Sequence, residues 1–137
     1  MSADPSLAQE LDRVMRKLDA QMHKLMPSVD TGRIGPMGGL LLMQLEDLQP
    51  CNIQTLATTM GRDNSQLTRL TRDLERKEMI TRTPDPNDAR ATLLSLTPAG
   101  QSFLKEARQV LNDVVQTTAA DLTGEEVGTL VSLLRRL

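Results

Sequence analysis

The chain has 137 residues, with 16 Lys and Arg against 18 Asp and Glu and a formal net charge of −2. That length suits one domain with a core of its own, and 25% charged with 39% hydrophobic residues excludes a disordered or fibrous chain. No run approaches the roughly 20 apolar residues of a membrane span, and the N-terminal residues lack the apolar centre of a signal peptide, so a cytoplasmic protein is expected.

Leu7, Leu11, Val14, Leu18, Met22 and Leu25 recur every three or four residues. This predicts a long helix with a heptad-like apolar seam, which Pro27 ends. Pro36 suits the first turn of a second helix running through LLLMQLEDL, weakened at its start by Gly38 and Gly39. Asn52 is placed to cap a short helix, IQTLATTM, that stops at Gly61 and gathers Ile53, Leu56, Ala57 and Met60 on one face. Asp63 or Asn64 caps the next helix, and Asp63 with Gln66 has the spacing of a capping box. Helix, short glycine turn, helix is the layout of a helix-turn-helix unit.

Beyond Glu78 the apolar period falls from 3.6 toward 2. MITRT and RATLLSLT read as two short strands around the turn residues PDPNDA, with Leu94 and Leu96 on one side of the second strand and Leu93 and Ser95 on the other. Thr97 then caps a helix whose first residue is Pro98, and Phe103, Leu104, Ala107, Val110, Leu111, Val114 and Val115 form its apolar stripe. Thr123 and Glu126 make a capping box for a last helix bearing Val127, Leu130, Val131 and Leu134. The expected fold is mainly α with a small β-hairpin wing, in the order four helices, hairpin, two helices.

On a wheel of about 100° per residue, the helix from Asn64 turns Leu67, Leu70, Thr71 and Leu74 to one side. Ser65, Thr68, Arg69, Arg72 and Arg76 fall on the other, with Gln66 and Asp73 on the flank. Arginine, glutamine and hydroxyl groups suit base edges and phosphates, and the second helix of such a unit is the one that enters the major groove of double-stranded DNA. Net charge does not carry this reading. Arg62 to Arg90 holds seven basic and six acidic residues, so the sorting of charge onto faces matters.

The run NSQLTRLTRDLERKEMITRTPDPNDARATLLSLTPAG resembles the core of the MarR family of winged helix-turn-helix transcription regulators. The elements that carry the resemblance are SQLTRLTRDLE in the recognition helix, DAR at the wing tip and LSLTPAG leading into the next helix. The resemblance spans essentially residues 1–137, with a winged helix-turn-helix over about 36–97 and dimerisation helices over about 5–26 and 98–137. It implies a repressor that binds a pseudo-palindromic operator as a homodimer, under small-molecule control. Arg90 would then be the minor-groove arginine and Asp88 the holder of its guanidinium. Ser65, Gln66, Thr68, Arg69, Arg72 and Arg76 would face DNA. The dimer seam would use Leu7, Leu11, Val14, Leu18, Val110, Val114, Leu130 and Leu134. Glu78 stands where the family usually has glycine, so either a left-handed cap carries a side chain or the helix ends differently.

Met22, Met26, Met37 and Met43 are most simply core filler, with an adaptable effector pocket as the alternative. Cys51 has no basic neighbour in sequence and reads as a structural thiol, and His23 as a surface or interface residue. The glycines of GRIGPMGG lack the ending of a phosphate loop and read as a flexible connector. One Cys and one His leave no basis for a metal site, a cofactor or most catalytic constellations, so no enzyme is expected. The alternative to a DNA-binding regulator is a dimeric ligand-binding or adaptor module without DNA binding.

Overall fold

A computed structural model describes residues 5–137. Six helices and one hairpin follow in the expected order: α1 Pro5–Leu25, α2 Gly35–Leu48, α3 Ile53–Met60, α4 Asn64–Arg76, β1 Ile80–Asp85, β2 Asp88–Leu96, α5 Pro98–Thr118 and α6 Gly124–Leu134. Pro27 lies in a single 3-10 turn, Met26–Ser28, that closes α1. The chain divides into two compact units. One joins the chain up to Pro27 to Gln109–Leu137, and the other is Ser28–Arg108.

The Ser28–Arg108 unit holds nearly all the buried apolar side chains among the described residues. Leu41, Leu42 and Leu45 of α2, Leu56 and Ala57 of α3, Leu67 and Leu74 of α4, and Ile80, Leu94 and Leu96 of the hairpin are all buried. The core is aliphatic, since Phe103 is its one aromatic ring. Phe103 and Leu104 bring the first half of α5 into this unit, and Arg108 pairs with Glu46 of α2. Gly38 is buried for a steric reason: a Cβ there would lie 2.8 Å from Ile34 Cγ2 and 3.4 Å from Leu74. The glycine that weakens α2 by propensity thus makes room for the Ile34 side chain at the start of that helix.

The caps satisfy helix ends as the sequence predicts. Asn52 accepts from the Thr55 N–H, Asp63 from the Gln66 N–H, and Thr123 and Glu126 form a reciprocal capping box. In α4 only the Asp63 half of the expected box is present. The N-terminus of α2 is served from outside the helix, where the Asp30 carboxylate accepts the N–H groups of Ile34 at 2.7 Å and Gly35 at 2.8 Å.

The hairpin departs from the expectation of a broad polar turn. β1 continues through Pro84 and Asp85, and only Pro86 and Asn87 turn the chain. Pairing is regular from Ile80↔Leu96 to Pro84↔Thr92, then slips so that Asp85 faces Asp88. Ala89, Arg90 and Ala91 therefore sit on a bulge, without partners in the register. Cys51 bridges to Leu94 by two backbone bonds, so the loop before α3 adds a rung to the sheet.

Candidate nucleic-acid interface

Four residues from Met60 to Asp63 set the geometry of the helix pair. Gly61 adopts φ 64°, which a residue with a side chain enters only with strain, and the N–H groups of Gly61 and Arg62 close α3 on the carbonyls of Thr58 and Ala57. Asp63 then starts α4. Leu67, Thr71 and Leu74 of α4 are buried and Leu70 is half-buried, so the inner edge is the one the wheel predicts.

The opposite face is open. Ser65, Gln66, Arg69, Arg72 and Arg76 are exposed and Thr68 is partly so. An open groove of about 530 Å³ is lined by Arg69, Arg72, Glu75 and Arg76. Arg69 and Asp73, one turn apart, form no ion pair. Asp73 instead holds Arg76 at 3.2 Å and Lys77 at 2.9 Å, and among the described residues Arg69 and Arg72 take part in no ion pair. Neither guanidinium is held in a salt bridge among the described residues, although, after the hydrogen bonds from the Gln66 N–H and the Ser65 hydroxyl, the charge of Arg69 helps to lower the pKa of the Asp63 carboxyl. The hydroxyls of Ser65 and Thr68 are both engaged within the helix, on Asp63 and on the Asn64 carbonyl.

The end of α4 answers the question raised by Glu78. The Glu78 N–H reaches the Glu75 carbonyl at 3.0 Å and the Met79 N–H reaches Leu74 at 2.9 Å, the two bonds of a left-handed helix stop. Glu78 occupies its left-handed position at φ 62°. The stop is retained with a side chain where glycine would fit. Thr97 locks the same corner, its hydroxyl donating to the Glu78 carbonyl at 2.6 Å and accepting the Gly100 N–H at 3.0 Å, while its own N–H donates to the Met79 carbonyl. Gly100 passes so close to that carbonyl that an added Cβ would lie 2.2 Å from it.

At the wing, Asp88 does not hold the Arg90 guanidinium as expected. Its Oδ1 accepts the Arg90 backbone N–H at 3.0 Å, an interaction two residues along the chain that a short Asp side chain reaches readily. The bulge leaves that N–H without a ladder partner, and Asp88 satisfies it. Asp85 does the same for Asn87 at 2.9 Å, so it caps the turn. Arg90 itself is exposed, with its guanidinium in no hydrogen bond or ion pair among the described residues.

Sequence reasoning missed Arg82. From β1 its guanidinium donates to Glu75 at 2.9 Å and Thr71 at 3.3 Å on α4, and approaches Thr92 of β2 at 3.5 Å. One side chain thereby ties both strands of the hairpin to α4. The signal available was a basic residue in a half-buried strand, which the periodicity places but does not pair. Lys77 was also missed. It bonds the Arg33 carbonyl at 2.6 Å, joining the chain before α2 to the end of α4.

Other candidates take ordinary places. Burial pushes the Cys51 thiol pKa up, so a reactive thiolate is disfavoured. Among the described residues no cluster of His, Cys, Asp or Glu could hold a metal ion, and no helix is long and apolar enough to cross a membrane. Met22 and Met26 are partly buried in one unit, while Met37 is partly buried and Met43 exposed in the other. Of the residues expected at a dimer seam, Leu7, Leu11, Leu130 and Leu134 are exposed, and Val14, Leu18 and Val110 are partly so. Val114 differs, being 2% exposed within the single chain.

Two helices joined by a glycine turn, with a hairpin strapped to the second, define a winged helix-turn-helix protein. The sequence model of the MarR family matches residues 39–92. A Bacillus subtilis transcriptional regulator, YxaD, is 32% identical over 107 residues, covering 78% of this chain and 75% of its own. Apo wild-type MarR of Escherichia coli superposes with a TM-score of 0.81 at 26% identity, covering 99% of this chain and 98% of that one. A cysteine-to-serine mutant of E. coli MarR complexed with operator DNA gives 0.75 at 26% identity, with coverage of 96% and 93%. The chain belongs to the MarR family of winged helix-turn-helix transcriptional regulators.

Proposed function

We propose that this chain binds DNA sequence-specifically, as a homodimer on a pseudo-palindromic operator, and acts as a repressor whose affinity a small ligand lowers. The observation that carries the DNA reading is the pair Arg69 and Arg72, exposed on α4 and held in no salt bridge among the described residues. Arg90, exposed on the wing bulge, is a third such cation, and on this reading it would enter a minor groove with α4 in the major groove. The likeness to a MarR caught on operator DNA supports the same reading.

The dimer reading is supported by apolar surface. α6 has no buried residue, and Val127, Leu130, Val131, Leu133 and Leu134 are all at least 39% exposed, as is Leu7 on α1. A stable protein seldom leaves such a face to water. The repressor sign and the ligand come with the family resemblance.

The test is a gel shift with DNA upstream of the protein's own gene, alongside sedimentation to read the oligomeric state. Arg90→Ala is expected to weaken binding, most where the minor groove is narrow, and to reduce the salt slope by about 1. Wild-type protein that shifts no DNA at low salt would favour the ligand-binding or adaptor module instead.

A further inference from the structure

We propose that Ser65 and Thr68 distinguish amino-bearing from keto-bearing bases, accepting a hydrogen bond from adenine N6 or cytosine N4 in the major groove. This rests on the DNA-binding reading above and adds to it which chemistry each part of α4 can recognise.

A hydroxyl has one hydrogen to give and two lone pairs. Ser65 Oγ lies 2.7 Å from Asp63 Oδ1. The Gln66 N–H and the Ser65 hydroxyl hold the Asp63 carboxyl below its ordinary pKa, so it is ionised and has no hydrogen. Ser65 must therefore be the donor in that bond. Thr68 Oγ1 lies 2.7 Å from the Asn64 carbonyl, which likewise only accepts. Both hydroxyls have spent their hydrogens inside the helix, and each turns only lone pairs outward.

That fixes what they can bind. Phosphate oxygens are acceptors too, so neither hydroxyl can serve a phosphate without surrendering a bond it already has. The ionised Asp63 beside Ser65 also repels a phosphate from the same place. In the major groove every base pair displays one amino group, adenine N6 or cytosine N4, opposite a keto oxygen of thymine or guanine. An acceptor hydroxyl therefore separates A or C from G or T on the strand it faces, without separating A from C. The N-terminal residues of a recognition helix are the ones that meet base edges. One turn on, Arg69 and Arg72 are donors only, suited to guanine O6 and N7 or to phosphate. Gln66, between the two hydroxyls, can both donate and accept, so the acceptor-only groups of the face are Ser65 and Thr68 and the donor-only groups are the arginines that follow.

The test is selection of bound duplexes from a random pool by the full-length protein and by Ser65→Ala, Thr68→Val and Thr68→Ser. Wild type should enrich sites in which particular positions of each half-site take A or C over G or T. Thr68→Val and Ser65→Ala should each flatten one such position, a loss of preference of roughly tenfold. Thr68→Ser keeps the acceptor and should keep the preference. Salt slopes on random-sequence DNA should match wild type throughout, and thermal unfolding confirms that each variant is folded. The proposal is overturned if both variants keep every wild-type base preference, or if they lower the salt slope as lost phosphate contacts do. Such results would leave DNA binding standing, whereas a wild-type protein that enriches no sequence would overturn the DNA-binding reading and this inference with it.

Discussion

Glu78→Gly should raise the stability of the protein, because φ 62° forces the Glu78 Cβ toward its own carbonyl side of the chain. For a residue with a Cβ this left-handed conformation costs about 1–2 kcal/mol. Glycine removes that cost but adds freedom to the unfolded chain, which takes back about 0.4–1 kcal/mol. The side chain contributes little to offset the exchange, since it is exposed and accepts no hydrogen bond among the described residues. The backbone bonds at the corner survive the change, including those of the Glu78 and Met79 N–H groups and the Thr97 hydroxyl. A net gain of about 0.5–1 kcal/mol remains, or roughly 2–4 °C in Tm for a chain of this length. Glu78→Ala is the control. It removes the same negative charge from the C-terminal end of α4, where charge of that sign is unfavourable, yet keeps the Cβ. The difference between the Gly and Ala variants therefore isolates the backbone strain. The assay is urea and thermal unfolding at one fixed protein concentration, because association would make Tm concentration-dependent. Equal midpoints for the two variants, or a Gly variant below wild type, would refute the reasoning.

Gly100→Ala should destabilise the protein by about 3 kcal/mol or more, since a Cβ 2.2 Å from the Met79 carbonyl must displace α5 or break the Thr97 corner; urea unfolding reads the loss. The Arg82 and Glu75 pair should show a coupling of about 0.5–1 kcal/mol in a double-mutant cycle read by unfolding, at the modest end because the side chains keep 29% and 39% of their exposure. Stability should also fall in acid through two caps. Backbone N–H groups, of Gln66 for Asp63 and of Thr123 for Glu126, followed by the hydroxyls of Ser65 and Thr123, lower both carboxyl pKa values in the folded state. Their contribution is complete above the unfolded values of about 4 and drains as pH falls through the folded ones, so Asp63→Asn with Glu126→Gln should flatten the urea midpoint below about pH 4 relative to wild type.

Periodicity and cap chemistry made the elements legible in advance. Leu67, Thr71 and Leu74 are buried where the wheel puts them, and Asn52, Asp63 and Thr123 cap where their side chains can reach an N–H. Local rules work at such places because the partners lie within four residues. They failed at the wing tip for a related reason. PDPNDA has turn composition throughout, yet cross-strand pairing carries β1 through Asp85.

The sequence by itself determined the order of the elements, the aliphatic character of the core and the sorting of arginines onto the outer face of α4. Those are properties of spacing along one chain. Only the tertiary structure decided which charges stay unpaired and which are spent. Arg82 and Lys77 look no different from Arg69 and Arg72 in sequence. Yet Arg82 is drawn to Glu75 and Lys77 to Asp73 and the Arg33 carbonyl, while Arg69 and Arg72 remain open. The physical reason is reach. A long cationic side chain pairs with whatever acceptor the fold brings within about 3 Å, and those acceptors stand as far as 44 residues away in sequence.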